Sequence, residues 1–261
     1  MAVAAYGRKF GDNFSPYIQK FFDKLNKLGI DLYVYEPFLD YLQPRISIVS
    51  KVIPFTTHKE IVTNTDFLFS IGGDGTFLDS TTFVRDSNIP IIGINTGRLG
   101  FLSGVSINNI QSALEDIFAG KFSLDQRSLL KVETKNNLFG TNNFALNELT
   151  VHKKDSSSMM TINAYMDGDF LNSYWADGLI VATPTGSTAY ALSCGGPIIL
   201  PGSDNFEITP IAPHNLNVRP IVIPDNKVLT LKIKGRSQDF LVSLDSRSET
   251  IDSSIELKIS K

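Results

Sequence analysis

The sequence predicts two domains: an α/β N-terminal domain, with an open, mostly parallel sheet and flanking helices, and a β-rich C-terminal domain. Two observations carry this. Over the first ~120 residues short apolar runs alternate with helical patterns, the rhythm of strand–helix–strand units. Beyond that point the pattern becomes period-two alternation, with turn residues between the runs and little helix. The boundary falls between 121 and 122, giving domains 1–121 and 122–261, with the C-terminal end able to pack back on the first domain.

In order along the chain, the apolar run Val3 to Tyr6 reads as a first strand. Ile18, Phe21, Phe22, Leu25 and Leu28 recur at helical spacing and stop at Gly29, a residue suited to the position just past a helix. Ile30, Leu32 and Val34 alternate like a strand, and Phe67 to Ile71 and Ile89 to Ile94 are continuous runs of buried-strand length. Ser106 is placed to cap a helix that carries Ile107, Ile110, Leu114, Ile117 and Phe118 and closes at Gly120. In the second half Leu130, Val132 and Thr134 alternate, as do Met160, Ile162, Ala164 and Met166, and Asp167-Gly168 then signals a hairpin turn. Strand-like runs follow at Ile221 to Ile223, Val228 to Ile233, Phe240 to Leu244 and Ile255 to Ile259.

Composition narrows the function classes. A net charge of −3 leaves no basic footprint for nucleic acid, so an anionic substrate must be met by backbone amides or single basic residues. The lone Cys194 excludes an internal disulfide and a cysteine zinc site, and His58, His152 and His214 lack metal-ligand spacing, so no protein metal site is expected. No apolar run approaches the ~18 residues of a membrane span and the N-terminus lacks a signal-peptide core. The expected location is the cytoplasm, with no membrane partner.

The most informative stretch is Gly72-Gly73-Asp74-Gly75-Thr76, directly after a strand run. Ligands of open α/β sheets bind beyond the carboxyl ends of strands, and glycines there let backbone N–H groups approach a diphosphate. A carboxylate among phosphates is electrostatically unfavourable, so Asp74 reads as a base for an attacking hydroxyl or as a magnesium ligand. The plainer reading is a tight turn with a capping aspartate before a helix. A bare Gly-Asp-Gly favours that reading; the full run after a buried strand does not. A second glycine turn, Gly93 to Leu102, follows another strand and falls on the same sheet edge. Its Arg98 either serves a phosphate or is a solvated loop residue.

Together these residues resemble the NAD kinase family. The Gly72–Thr76 loop is shared with diacylglycerol and sphingosine kinases and, in related form, with phosphofructokinases, so it marks the superfamily. Asn147-Glu148, the run Asp177 to Tyr190, Gly195-Gly196-Pro197-Ile198, Pro213-His214 and Arg219-Pro220 are more specific and stand in the family's order. The resemblance implies an enzyme that phosphorylates the 2′-hydroxyl of NAD's adenosine ribose with ATP, giving NADP and ADP, as a homodimer or homotetramer. A divalent cation, magnesium, is expected to arrive with the donor. By resemblance Asp74 is the catalytic base, with Gly72, Gly73 and Gly75 beside it in the nucleotide site. Asn147 and Glu148 contact the adenosine moiety. Asp177 and the run Thr188, Ala189, Tyr190, Ala191, Leu192, Ser193 hold the rest of the dinucleotide, and Ala212 and Arg247 complete the implied set.

The residues support the same reading on chemical grounds. Glu148 can accept from ribose hydroxyls, and Asn147 offers both donor and acceptor to an adenine or ribose edge; a polar pair at a strand end is the plainer alternative. Thr185-Gly186-Ser187-Thr188 reads as a polar loop entering a short helix at Ala189 to Leu192, which suits a polar ligand. Tyr190 stacks on a base or sits in the core, and Asp177 is a binding residue or a turn former before Gly178. The chain departs from the family pattern at Trp175, where Arg is frequent, at Ser158, where a basic residue or His is frequent, and at Asp245-Ser246-Arg247, where many members read Asp-Gly-Gln. These departures bear on NAD against NADH and on inhibition by NADP, not on the reaction. ATP and inorganic polyphosphate both fit as donor. Two rival readings remain at this point: a lipid or small-alcohol kinase, which the polar run Thr183 to Thr188 disfavours, and a non-catalytic dinucleotide sensor, which has no use for Asp74.

Overall fold

The computed structural model describes every residue except 50, 98–99, 155–158, 216 and 236–238. Arg98 and Ser158 therefore lie outside the described residues. The chain divides into two compact units, Met1–Asp125 and Gln126–Lys261.

The first unit is built on one six-stranded sheet: β1 (Ala2–Gly7), β2 (Asp31–Tyr35), β3 (Val52–Phe55), β4 (Phe67–Gly72), β5 (Ile91–Asn95) and β6 (Val105–Ser106). Every pairing is parallel, and the spatial order is β3-β2-β1-β4-β5-β6. Helices α1 (Ser15–Lys27), α2 (Glu36–Leu42), α3 (Asp74–Val84) and α4 (Ile110–Phe118) accompany it. Alternation along β1 shows why both faces are covered. Val3 and Ala5 join a core with Ile18, Phe21 and Phe22 of α1, Phe38 of α2, and Ile110 and Leu114 of α4. Ala4 and Tyr6 join another with Val84 of α3, Phe55 and Ile61. A parallel sheet needs this double cover, since its connections run as helices over its faces.

Helix α1 ends where the sequence indicates. Gly29 takes φ +65°, its N–H reaches Asn26 O at 3.0 Å, and Ile30 N–H reaches Leu25 O at 3.2 Å, a Schellman closure. Leu28, expected on the buried stripe, is exposed because it occupies the cap beyond the last buried turn. Ser106 makes no side-chain cap; a 3₁₀ turn, Ile107–Asn109, leads into α4 instead. Helix α2 and strand β3 carry no clear periodic signal. Pro54 lies within β3, which an edge strand tolerates.

The chain builds outward from β1 to β2 and β3, then returns to place β4 on β1's other side. That reversal opens a crevice at the carboxyl ends of β1 and β4. It is where the glycine run begins.

The second unit is a sandwich of two antiparallel sheets. One holds β7 (Leu130–Glu133), β8 (Phe144–Ala145), β10 (Met160–Met166), β11 (Asp169–Ala176), β15 (Leu229–Gly235) and β18 (Glu256–Ser260). The other holds β9 (Glu148–Lys153), β12 (Gly178–Ala182), β13 (Asn205–Ile211), β14 (Ile221–Pro224), β16 (Phe240–Leu244) and β17 (Arg247–Ile251). Their orders are β11-β10-β15-β18-β7-β8 and β14-β13-β12-β9-β16-β17. Inner residues of both, among them Leu149, Val151, Leu179, Val181, Ile162 and Leu231, form one core. Asp167 and Gly168 close the β10–β11 hairpin with φ of +51° and +93°, the two-residue turn their sequence signals. No helix among the described residues is long and apolar enough to cross a membrane.

Candidate active site

In the first unit Gly72 ends β4, Gly73 precedes α3, and Asp74 and Gly75 open that helix. Asp74 does not cap α3. Its Oδ2 accepts the N–H of Phe101 at 2.8 Å, and its Oδ1 accepts those of Leu102 and Ser103, both at 3.2 Å. Gly100 lets that loop close over the carboxylate, because a Cβ there would collide with both oxygens. Gly72 is sterically required beside Thr76, whereas a Cβ on Gly73 or Gly75 would meet nothing within 4 Å. Crowding therefore does not explain the last two glycines; close approach of a ligand to their backbone does.

A basic group missing from the sequence reading stands at the same crevice. Arg8, just past β1, pairs with Asp79 of α3 and stays more than half exposed, and Tyr6 Oη donates to Asp79 Oδ2 at 3.3 Å. Burial, with Asp79 adding to it, pushes the Tyr6 phenol up to about 12, so it stays a donor at neutral pH.

In the second unit the remaining candidates form one connected patch. Asp245, almost fully buried in the β16–β17 turn, accepts the N–H groups of Leu146 (2.9 Å), Asn147 (2.9 Å) and Glu148 (3.2 Å). Arg247 donates to the carbonyls of Asn142 and Phe144 and lies on the Phe144 ring. Thr183 N–H reaches Asn147 O at 2.9 Å, and Gly186 packs so closely on that carbonyl that a Cβ would overlap it. Thr185 Oγ1 accepts from Arg127 at 3.3 Å. The helix expected from Ala189 is interrupted: a 3₁₀ turn, Gly186–Thr188, precedes Ala189, and α5 spans only Tyr190–Ser193. Ala191 is buried on the sheet, while Tyr190, Leu192 and Ser193 are exposed. Tyr190 is thus not a core residue; its ring stacks on His152 at 5.8 Å. Asp177 pairs with Lys153 Nζ at 2.6 Å, and its N–H reaches Ile211 O at 3.0 Å, next to Ala212. Trp175 is half exposed on edge strand β11 and tilts over His214 at 5.2 Å.

Two acceptors stand out. Asn147 Oδ1 and Glu148 Oε2 are buried and have no hydrogen-bond partner among the described residues. Burial, reinforced by repulsion from Asp245 and Glu207 and opposed by the Tyr190 N–H, pushes the Glu148 carboxyl up to about 7. His152 is driven the other way by burial, against the pull of Asp177. In sequence Lys153 and Glu207 carry no assigned role, His152 is weighed only as a metal ligand, and Asp245 is marked only within the departure Asp245-Ser246-Arg247. Parity was the available signal for His152, which lies four residues after Glu148 in a strand and so on the same face.

A model of the ATP-NAD kinase N-terminal domain matches residues 42–122, and one of the ATP-NAD kinase C-terminal domain matches residues 146–259. The chain is 48% identical over 261 residues to an NAD kinase of Cytophaga hutchinsonii, covering 100% of this chain and 89% of the relative. It is 46% identical to an NAD kinase of Flavobacterium psychrophilum, covering 100% and 90%. Among solved structures, yeast NADH kinase complexed with NADH shares the fold at a TM-score of 0.87 and 24% identity, covering 100% of this chain and 80% of that one. An NAD kinase from Archaeoglobus fulgidus in complex with ATP aligns at a TM-score of 0.73 and 26% identity, covering 100% and 90%. Matches to both domain models and near-half identity over the full length establish that the chain belongs to the NAD kinase family.

Proposed function

We propose that this chain transfers the γ-phosphoryl group of ATP to the 2′-hydroxyl of NAD's adenosine ribose, giving NADP and ADP. The observation that carries the reading beyond family membership is the pair of buried, unpartnered acceptors, Asn147 Oδ1 and Glu148 Oε2. A buried acceptor left without a donor is costly, and ribose hydroxyls and an adenine amine are the donors that NAD brings. Asp177, Tyr190 and their neighbours complete the dinucleotide surface. Arg247 acts at one remove, by bracing the backbone before Asn147.

Asp74 takes the proton of the attacking hydroxyl as the ribose oxygen bonds to the γ-phosphorus and the bond to the bridging oxygen of ADP breaks. The three N–H groups that the Asp74 carboxylate accepts fix its place, and positioning supplies much of the rest. The backbone at Gly73 and Gly75 and the guanidinium of Arg8 serve the phosphates. Among the described residues no three His, Cys, Asp or Glu side chains are grouped to hold a metal ion. A divalent cation arrives as a companion of the donor, whose phosphate charge it neutralises. The active form is a homodimer or homotetramer in the cytoplasm.

Purified protein incubated with NAD, ATP and magnesium should form NADP and ADP in equal amounts. Binding of NAD without NADP formation would leave a sensor, and phosphorylation of lipid alcohols alone would leave a lipid kinase.

A further inference from the structure

On the face of the second unit's sheet that is turned away from the shared core, β12 presents Gly178, Ile180 and Ala182. Ala182 pairs with Glu148 of β9 on one side and with Glu207 of β13 on the other. Directly paired residues of antiparallel strands project to one face, so both carboxyl groups flank a single methyl group. Their strands are roughly 9.5 Å apart, twice the ordinary spacing, and Glu207 repels the charge on Glu148. The short α5 lies on this face. Ala191 packs with Ile180 and Ala182, Glu148 accepts the N–H of Tyr190 at the start of α5, and Glu207 Oε1 lies against Gly196 just beyond its end. Glu207 is fully buried; it accepts from Thr209 Oγ1 at 3.2 Å, and its Oε2 has no hydrogen-bond partner among the described residues.

We propose that Glu207 is a positioning residue for the dinucleotide: facing Glu148 over Ala182, it sets when Glu148 is ionised and able to accept from the ribose hydroxyls. This rests on the reading of Glu148 as the ribose acceptor. Two buried carboxyl groups in one patch resist double ionisation and share their proton losses as a pair. Burial pushes Glu207 up to about 7, into the range of Glu148. The other groups on this side are Asp245, which adds to the repulsion with Arg247 beside it, Tyr190 and Cys194 at α5, and His152, on the same face of β9 against the Tyr190 ring. Burial pushes Tyr190 and Cys194 up and His152 down, so all three are neutral at pH 7. Ionised Glu148 offers more acceptor sites than the acid, so NAD affinity rises with pH through the paired titration. Removing the charge of Glu207 moves that rise to lower pH.

The test uses the full chain with ¹³C-labelled glutamate, following the Glu148 carboxyl by NMR against pH. Calorimetry measures NAD binding over the same pH range, on both sides of the value of about 7 to which both carboxyl groups are pushed. Wild type should show Glu148 and Glu207 titrating together in two broadened steps. Glu207→Gln should lower the Glu148 midpoint and tighten NAD binding at pH 6 several-fold, with little change at pH 8. Independent, single-step titrations of the two glutamates in wild type would overturn the proposal without any variant. An unmoved Glu148 midpoint in folded Glu207→Gln would overturn it as well. If the midpoint moves and NAD affinity does not follow, the pairing is real but Glu148 is not the ribose acceptor, and the positioning role falls with that reading.

Discussion

Asp74 accepts the backbone N–H of Phe101 at 2.8 Å across 27 residues of sequence, so the candidate base of one glycine turn is also the anchor of the next. Substitution at Asp74 must therefore be read on two axes, chemistry and loop closure.

Asp74→Asn sets one amide NH₂ against a loop N–H, where the carboxylate had accepted. The expected result is a kcat lower by ~10²–10⁴-fold, the usual loss of general-base help, with NAD affinity from calorimetry little changed. A modest fall in unfolding temperature should accompany it. Near wild-type kcat would remove Asp74 from the base role, and recovery at raised magnesium would reassign it to holding the cation.

The glycines separate by what surrounds them. Gly100→Ala drives a Cβ into the Asp74 oxygens, so both kcat and unfolding temperature should fall. Gly73→Ala meets open space, so unfolding temperature should hold while the KM for ATP or NAD rises. Equal thermal losses in the two variants would show that Gly73 is structural.

Asn147→Ala combined with Glu148→Ala removes the two buried acceptors proposed to meet NAD. Each hydrogen bond is worth ~0.5–1.5 kcal/mol net, and more to a charged group, so NAD affinity should fall by about one to two orders of magnitude. Calorimetry with unchanged affinity would take these residues out of the site.

Stability should depend on pH through the buried glutamates. Glu148 and Glu207 rise in the folded state from 4.5 to about 7. Their contribution is full below 4.5 and is lost as pH climbs through 7. His152, lowered by burial, works in the opposite sense as pH falls. The cleaner reading is thus the difference between proteins: Glu207→Gln should unfold at a higher temperature than wild type at pH 8 and lose that advantage by pH 5. A variant less stable at pH 8 would mean that the ionised carboxylate is compensated in the fold.

Local pattern carried much of this architecture. Met160 to Met166, marked by alternation, and Phe240 to Leu244, marked as an apolar run, are strands over those same residues, and α1 buries Ile18, Phe21, Phe22 and Leu25. Where period was weak, reading failed: α2 is seven residues, and β3 is a four-residue edge containing proline. The motif residues of the candidate site stand out because they sit together in sequence. Their supports do not, because register is a tertiary property. Nothing local says that Ala182 lies between Glu148 and Glu207, or that Phe101 to Ser103 fold back on Asp74.

Asp245 has a consequence in time as well as in space. It holds the amides of Leu146, Asn147 and Glu148 from 97 to 99 residues further along. At ~5–20 residues per second of synthesis, the ribosome needs on the order of 5–20 s to reach it after making the pair. During that interval the nascent Asn147-Glu148 segment lacks the carboxylate that pins its backbone. The first unit, whose sheet is made entirely of residues before 107, has by then all its strands available to fold. The Asn147-Glu148 segment, proposed to meet the dinucleotide, is thus among the last parts of the molecule to mature, and chains that stop before the β16–β17 turn carry the motif without the carboxylate that pins it.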